Sequence, residues 1–392
     1  MNDTFSIKRI DWIMLGTILA LITLSVLFIY SAQFKSEVET GNNYIKQFVF
    51  ALMGFAVYGA LTWLDYKWIA RFSGGIYIGV IVLLLLVFAF PPLNGAQRWI
   101  PLPGFTLQPS ELGKIGSIIA LSAYLSVPSR NVKEWKTFYT CVAIVGVPFL
   151  LIASEPDLST SLILAPITLS IMLYKGVQRK LLLIGIASVL LLVIVICVWI
   201  KYEKTPEIMA LPKEKRPALV LPKMPLLEDY QKGRIKVFLN KNHDLADTGW
   251  NKLQSQIAVA SGGIHGKGYL KGTQNILGFL PRTVAPTDFI FCVIAEETGF
   301  IGALFIILLY TFLLGRCIRS SLRARDEFGR LMTLGISVLL FCHVFINIAM
   351  TIGKLPITGL PLPLMSYGGS FMVSTMIALG LVQSVYTRRR SR

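Results

Sequence analysis

Apolar runs long enough to cross a lipid bilayer recur along almost the whole of this sequence. A membrane-spanning helix needs about 20 mainly apolar residues. Runs of this kind cover residues 10–32, 45–64, 69–90, 109–127, 137–154, 158–174, 181–201, 289–315, 331–353 and 367–386. We predict an all-α polytopic membrane protein with about ten transmembrane helices, forming a single membrane domain over residues 1–392. A hydrophobic content of 54% with 15% charged residues excludes an ordinary soluble domain.

The distribution of positive charge predicts the orientation of these helices. About nineteen Lys and Arg residues fall on the side of both termini, against about three, Lys35, Arg98 and Lys354, in the short loops of the opposite side. Cytoplasmic loops carry such an excess. Both termini are therefore expected in the cytoplasm, and the net charge of +17 needs no nucleic-acid partner to explain it.

One long polar segment, residues 202–287, separates the seventh and eighth predicted helices, and the topology places it on the external side. Residues 201–225 are expected to be extended, and residues 227–238 space their apolar side chains as an interfacial amphipathic helix does.

A glycine loop (residues 262–268) lies later in the same segment. It departs from a phosphate-binding P-loop, because Ser261 and Gly268 stand where that motif needs Gly and Ser or Thr. A flexible turn is expected there; the alternative is a pyrophosphate site built from its backbone amides and Lys267.

Asp288 is the last polar residue before the eighth apolar run. Two interpretations are open for it. Aspartate is a favoured helix N-cap, since its carboxylate accepts hydrogen bonds from the first amides of a helix. It is also a suitable general base at a cleft on the membrane surface. The local sequence favours the cap.

Glu111 and Lys114 stand on one face of the fourth predicted helix, which starts at Pro109. Each charge costs about 2.5–3.5 kcal/mol at the centre of a membrane helix, so neither is expected to face lipid. Either the two form a structural ion pair, or Lys114 faces an anionic substrate headgroup.

Other candidate sites are weaker. Asp157, in the turn that opens the sixth predicted helix, is expected to cap that helix. The five cysteines show no CxxC spacing and the three histidines form no ligand pattern, so neither a disulfide framework nor a zinc site is indicated.

Polar side chains nevertheless converge on the predicted external half of the bundle. A proline- and glycine-rich stretch between the last two helices resembles a re-entrant turn, which is tolerated at membrane depth only where protein or water satisfies its backbone. The converging residues are Arg98, Gln108, Glu111, Lys114, Asp288, Glu296, Lys354 and Ser366.

Successive motifs resemble the signatures of one family. They are GAQRWI, QPSELGK, EPDLSTSL, YQKGRIKVFLN, GWNKLQSQIAVASGGIHGKGYLKGTQ, TDFIFCVIAEETGFIG and LPITGLPLPLMSYGGS. The chain is identified on these motifs as a member of the SEDS proteins, the RodA/FtsW type of bacterial peptidoglycan polymerase. Its sequence in the segments WNKLQSQIAVASGG and GKGYLKGTQ is closer to the elongation members of this family than to its division members.

The resemblance implies a glycosyltransferase of the bacterial inner membrane that polymerises lipid II beside a class B penicillin-binding protein. It implies that Asp288 is the essential acid and that Trp99 is the motif tryptophan. Substrate binding is then assigned to Arg98, Trp99, Gln108, Glu111, Lys114, Gln254, Ser255, Lys267, Glu296, Lys354 and Ser366. No cofactor is certain, and a divalent cation such as Mg²⁺ is left open.

The chain also departs from the family pattern. Arg282 and Pro286 replace the usual acid and histidine of the turn before Asp288, so no role is carried over for those two groups. The alternatives to an elongation polymerase are a lipid II flippase, a septal polymerase and a non-catalytic scaffold.

Overall fold

The computed structural model describes residues 7–34, 42–92, 97–203, 232–234, 237, 248–280 and 284–389. The predictions for residues 201–225 and for the amphipathic helix over 227–238 fall almost wholly outside the described residues. The replacement at Arg282 and the loop cation Lys35 lie outside them too.

The described part of the chain is built from helices and one short hairpin. The helices are α1 (Trp12–Gln33), α2 (Asn43–Trp63), α3 (Tyr66–Arg71), α4 (Ser73–Leu86), α5 (Pro109–Ser126), α6 (Trp135–Ser154), α7 (Leu158–Lys175), α8 (Arg179–Tyr202), α9 (Thr248–Ser261), α10 (Thr273–Ile276), α11 (Ile290–Arg323), α12 (Glu327–Thr351) and α13 (Gly369–Thr387). Strands β1 (Ile100–Leu102) and β2 (Phe105–Leu107) pair antiparallel just before α5.

Each of the ten predicted apolar runs falls on a helix, which confirms the all-α membrane class. Within the described residues, seven helices are both long and apolar enough to cross a membrane: α1, α2, α6, α7, α11, α12 and α13. Helix α4 with the short 3₁₀ turn after it is apolar but shorter. The count of ten crossings and the external placement of residues 202–287 stay predictions.

Helix α5 occupies the centre of the bundle, where it packs against α4, α6, α7 and α12. Pro109 stands in its first turn, as predicted, where a missing amide hydrogen costs nothing. Both charged residues of this helix are buried, Glu111 at 5% and Lys114 at 1% exposure. A central helix can carry these charges because other helices shield them from lipid.

Helix α11 is broken at Gly299, which the sequence analysis did not foresee. Gly299 has φ 67° and ψ −163°, a conformation that favours glycine. The glycine loop fills the break, since Phe300 N donates to Gly263 O at 2.8 Å. The expected flexible turn is therefore wrong: these glycines let two backbones touch, and a Cβ on Gly299 would lie 2.3 Å from Gly266 N.

The opposite end of the bundle is closed by arginines. Arg388 is 5% exposed and donates to Thr62 O at 3.2 Å and Trp63 O at 2.5 Å, at the end of α2. Arg316 pairs with Asp11 at 2.7 Å. These residues were counted only as a topology signal, but they also tie helix ends together.

We predict that α12 ends on the external side and that Arg319 lies on the cytoplasmic side. Lys354 and Arg319 are both exposed. In a variant whose five native cysteines are replaced by alanine, Lys354→Cys should react with a membrane-impermeant maleimide on cells with a permeabilised outer membrane. Arg319→Cys should react only after the inner membrane is lysed. The reverse pattern would invert the topology.

Candidate active site

Asp288 lies in a compact turn, residues 284–289, that leads into α11. The amides of Thr287, Asp288 and Phe289 all donate to Val284 O, at 3.2, 3.0 and 3.1 Å. The N-cap position of α11 is Phe289, and no side chain caps this helix. The cap interpretation of Asp288 is therefore wrong, because the turn closes on its own carbonyl and leaves the carboxylate for another task.

The carboxylate of Asp288 lies against the backbone of Gly359. A Cβ at position 359 would lie 3.4 Å from Asp288 Oδ2 and 3.3 Å from Arg234 Nη1, and Gly359 has φ 75°. Arg234 donates to Thr358 O at 3.0 Å. The positive φ is what favours glycine at 359, while the two distances show that this position lies beside both side chains.

Burial raises the pKa of the Asp288 carboxyl to about 6. The positive charges of Arg234 and Arg98 lower this pKa, and the negative charge of Asp157 raises it. Desolvation disfavours the carboxylate, while the two guanidinium groups favour it. The carboxyl is consequently still mostly ionised at neutral pH, with a pKa close to the operating range of a general base.

The α12–α13 connector (residues 352–368) forms the other side of this region. Asn347 donates to Asp288 O at 2.9 Å and to Leu360 O at 2.8 Å. Ser366 Oγ donates to Thr287 O at 2.5 Å and accepts from Leu362 N at 2.7 Å. Ser366 is 1% exposed. Its hydroxyl thus joins the connector to the Asp288 turn, and substrate contact by Ser366 stays a prediction.

Arg98 and Gln108 both bind the turn between α6 and α7. Arg98 donates to Glu155 O at 3.2 Å and Pro156 O at 2.8 Å, and Gln108 Nε2 donates to Asp157 Oδ2 at 3.1 Å. The other oxygen of Asp157 accepts from Thr160 N at 3.3 Å, which confirms the predicted cap. The motif tryptophan Trp99 is half-buried beside Arg98.

Glu155 in the same turn is fully buried, and neither of its carboxylate oxygens has a hydrogen-bond partner. Burial, assisted by Asp157 and opposed by Arg98, raises the pKa of its carboxyl to about 9. Glu155 is therefore neutral at physiological pH and does not compete with Asp288 for the charge of Arg98.

Glu111 and Lys114 form the ion pair that was one of the two predicted alternatives, with Lys114 Nζ 2.8 Å from Glu111 Oε1. Lys114 Nζ is also 2.8 Å from His343 Nε2. A lysine this enclosed neutralises its partner inside the protein. The geometry therefore favours the structural alternative over contact with a substrate headgroup.

Glu296 and Lys267 bind each other and not the Asp288 turn. Lys267 Nζ lies 2.6 Å from Glu296 Oε1, which also accepts from Gln274 N at 3.0 Å. The amides of Lys267 and Gly268 donate to carbonyls of α11 at 3.0 and 2.9 Å. These amides are thus already used, which argues against the pyrophosphate site considered for the glycine loop.

The remaining predicted contacts are dispersed. Gln254 and Ser255 are buried in α9, where Ser255 Oγ donates to Thr351 O at 3.2 Å. Lys354 is exposed near the start of the α12–α13 connector. Among the described residues no group of three His, Cys, Asp or Glu side chains is arranged to hold a metal ion. Because Mg²⁺ is usually held by one or two carboxylates together with substrate phosphates, the divalent cation left open by the sequence stays an open alternative.

Sequence reasoning missed three residues that the structure brings to this region. Arg234 was read only within an amphipathic segment, although it lies in the YQKGRIKVFLN motif. Asn347 and His343 lie in an apolar helix at i and i+4, where two polar side chains on one face were the available signal.

We predict strong coupling between Glu111 and Lys114. In a double-mutant cycle of Glu111→Gln and Lys114→Met, each single change should lower the free energy of unfolding by about 3–5 kcal/mol, because it leaves a buried charge unpaired. The double variant should lose much less than the sum.

The control is the pair Glu327 and Arg330, which has the same i, i+3 spacing but 31% and 26% exposure. Its coupling should stay below about 1 kcal/mol. Additive losses at Glu111 and Lys114 would mean that the two do not interact.

Comparison with known proteins agrees with this architecture. The FTSW_RODA_SPOVE family, described as "Cell cycle protein", matches residues 11–391. Peptidoglycan glycosyltransferase MrdB of Escherichia coli K12 is 35% identical over 385 residues, covering 97% of this chain and 95% of the relative. A probable peptidoglycan glycosyltransferase FtsW of Geobacter sulfurreducens is 34% identical over 391 residues, covering 97% and 96%.

A solved structure is similar over the same length. It was described as showing structural coordination of polymerization and crosslinking by a peptidoglycan synthase complex, and it superposes with a TM-score of 0.76 at 26% identity over 96% of this chain and 97% of that one. The family match over residues 11–391 includes every helix from α1 to α13. This chain therefore belongs to the FTSW_RODA_SPOVE family, the SEDS proteins.

Proposed function

We propose that this chain polymerises lipid II into glycan strands with Asp288 as the general base. That the protein is a peptidoglycan glycosyltransferase follows from its family and from its full-length relatives. The observation that supports the catalytic assignment is the Asp288 carboxyl, which caps no helix, lies against Gly359 and has a pKa of about 6.

The chemistry needs a single base. The donor sugar is α-linked to a lipid pyrophosphate and the product is β-linked, so one direct displacement with inversion suffices. The acceptor hydroxyl attacks the anomeric carbon and loses its proton to Asp288 as the bond to pyrophosphate breaks. No covalent carboxylate intermediate is required.

The leaving pyrophosphate carries negative charge away from the anomeric carbon. Arg98 and Arg234 both act electrostatically on Asp288. We assign to these two guanidinium groups the stabilisation of the departing charge, in place of the enclosed Lys114. The same two charges keep Asp288 ionised, so one pair of arginines serves the base and the leaving group.

Relatives named MrdB and FtsW are almost equally similar to this chain, so overall identity does not separate an elongation role from a septal one. We propose the elongation role because the motif sequences are closer to the elongation members. The flippase alternative needs a polar path through both leaflets. On the predicted cytoplasmic side two of the described cations, Arg316 and Lys175, are instead held in ion pairs, with Asp11 at 2.7 Å and Glu327 at 3.4 Å.

We predict that Asp288→Asn folds normally and loses polymerisation by about a hundredfold or more, the loss expected for a general base. The measurement is glycan-chain formation from purified lipid II. Asp326→Asn is the matched control: Asp326 caps α12 through a 2.7 Å bond from Gly329 N, and asparagine caps as well as aspartate. Its other oxygen accepts from the Tyr66 hydroxyl at 2.7 Å, and that hydroxyl can accept from the asparagine amide instead. Wild-type turnover in Asp288→Asn would remove the catalytic assignment.

The pH profile gives a second test of the same base. Because the base must be ionised, kcat/KM of the wild-type protein should fall about tenfold per pH unit below about 6, and be flat from there to neutral pH. An acid limb near pH 4, the range of an ordinary aspartate, would show that burial does not control Asp288.

We also propose a class B penicillin-binding protein as the partner that cross-links the product in the inner membrane. Affinity purification of the full-length chain from native membranes in mild detergent should recover this protein. A recovery of self-associated chain alone would contradict the partner assignment.

A further inference from the structure

We propose that His343 is a positioning residue of the active site: its neutral imidazole links the buried Lys114 to the carbonyl of Pro361 and thereby holds the connector against Asp288. The inference rests on the proposed function for its catalytic consequence, while its structural part can be tested separately.

The hydrogen bonds define the tautomer of His343. The Lys114 ammonium can only donate, and its Nζ lies 2.8 Å from His343 Nε2. Nε2 must therefore accept, and the ring proton lies on Nδ1. Nδ1 is 3.2 Å from Pro361 O, a carbonyl that can only accept. The imidazole thus uses one nitrogen for each neighbour, and its orientation is set from both sides.

The anchored carbonyl belongs to the part of the connector that lines Asp288. Three side chains hold consecutive or near-consecutive carbonyls there: Arg234 holds Thr358 O at 3.0 Å, Asn347 holds Leu360 O at 2.8 Å and His343 holds Pro361 O. Gly359, where an added Cβ would contact the Asp288 carboxylate, stands between these anchors.

His343 and Asn347 are spaced i, i+4 on α12, so they present their polar groups on one face of that helix. Asn347 also donates to Asp288 O, so one face of α12 holds both the turn that carries the base and the connector opposite it. A movement of Pro361 would change the distance between Gly359 and the carboxylate.

Through Lys114, His343 is also connected to helices α5 and α13. The ammonium is shared between Glu111 and His343, and Glu111 Oε2 lies 3.4 Å from Ser374 Oγ on α13. The chain of contacts therefore runs from α13 through α5 and α12 to the connector. These contacts give the buried Lys114, at 1% exposure, a structural role. Its ammonium determines that Nε2 is the imidazole nitrogen that accepts a hydrogen bond.

The competing explanation is that His343 is only a core side chain, since its ring packs 5.1 Å from the ring of Phe371. Two substitutions separate the explanations. His343→Gln offers one acceptor and one donor without an aromatic ring, and His343→Leu fills the space with neither. Ser337→Ala is the control, because Ser337 is buried on the same helix and its hydroxyl bonds only within α12, to Thr333 O at 2.7 Å.

Two measurements are made on the full-length purified protein: hydrogen exchange of peptides covering residues 355–368, and kcat and KM for lipid II polymerisation. His343→Leu should raise exchange in those peptides about tenfold or more. It should lower kcat about tenfold to a hundredfold with KM within about threefold, because a displaced wall misorients the reacting groups. His343→Gln should restore both values to within about threefold of wild type, and Ser337→Ala should match wild type.

The outcomes separate the two proposals. If His343→Leu leaves both exchange and kcat at wild-type values, or if His343→Gln is as damaging as His343→Leu, the positioning role is wrong. If exchange rises as expected while Asp288→Asn still polymerises, the anchor stands and the assignment of the base fails. Should the leucine variant not fold, His343→Asn is used, because its shorter amide keeps a donor at the Nδ1 position for Pro361 but places no acceptor at the Nε2 position for Lys114. Wild-type kcat in that variant would overturn the link to Lys114.

Discussion

The connector between α12 and α13 depends on hydrogen bonds that regular secondary structure does not supply. Inside a membrane protein each unsatisfied backbone group is costly, since little water reaches it. The connector carries prolines at 356, 361 and 363, which lack an amide hydrogen. Its backbone is satisfied instead by side chains from four helices, and the same bonds determine where Asp288 stands.

These bonds come from residues far apart in sequence. Ser25 on α1 donates to Met365 O at 2.8 Å, Gln47 on α2 to Ser366 O at 3.1 Å, and Tyr310 on α11 to Pro363 O at 2.5 Å. With Asn347 from α12, they fix the position of an irregular segment at four of its carbonyls. A fixed segment suits a catalytic site, because a preorganised carboxylate needs no rearrangement when the reaction occurs.

Most of the acidic side chains around this region are paired, neutral or already hydrogen-bonded. Glu111 and Lys114 neutralise each other, and Glu155 is neutral because burial raises the pKa of its carboxyl to about 9. Asp157 is occupied by Gln108 and by its own helix. Asp288 is thus distinguished from the neighbouring acids by what it does not do: it neither caps a helix nor pairs with a lysine within the described residues.

Hydrophobic periodicity and composition by themselves determined the membrane class, the apolar runs that fall on helices, Pro109 at a helix start and Asp157 as a cap. Each of these depends on neighbours within about one helical turn or on contact with lipid. The tertiary structure decided the rest. Only packing showed that Asp288 is no cap, that the glycine loop fills the break at Gly299, and that Glu296 faces Lys267. His343 and Lys114 meet across 229 positions. Such contacts depend on which helix faces which, and helix faces in lipid are too uniformly apolar to reveal their partners.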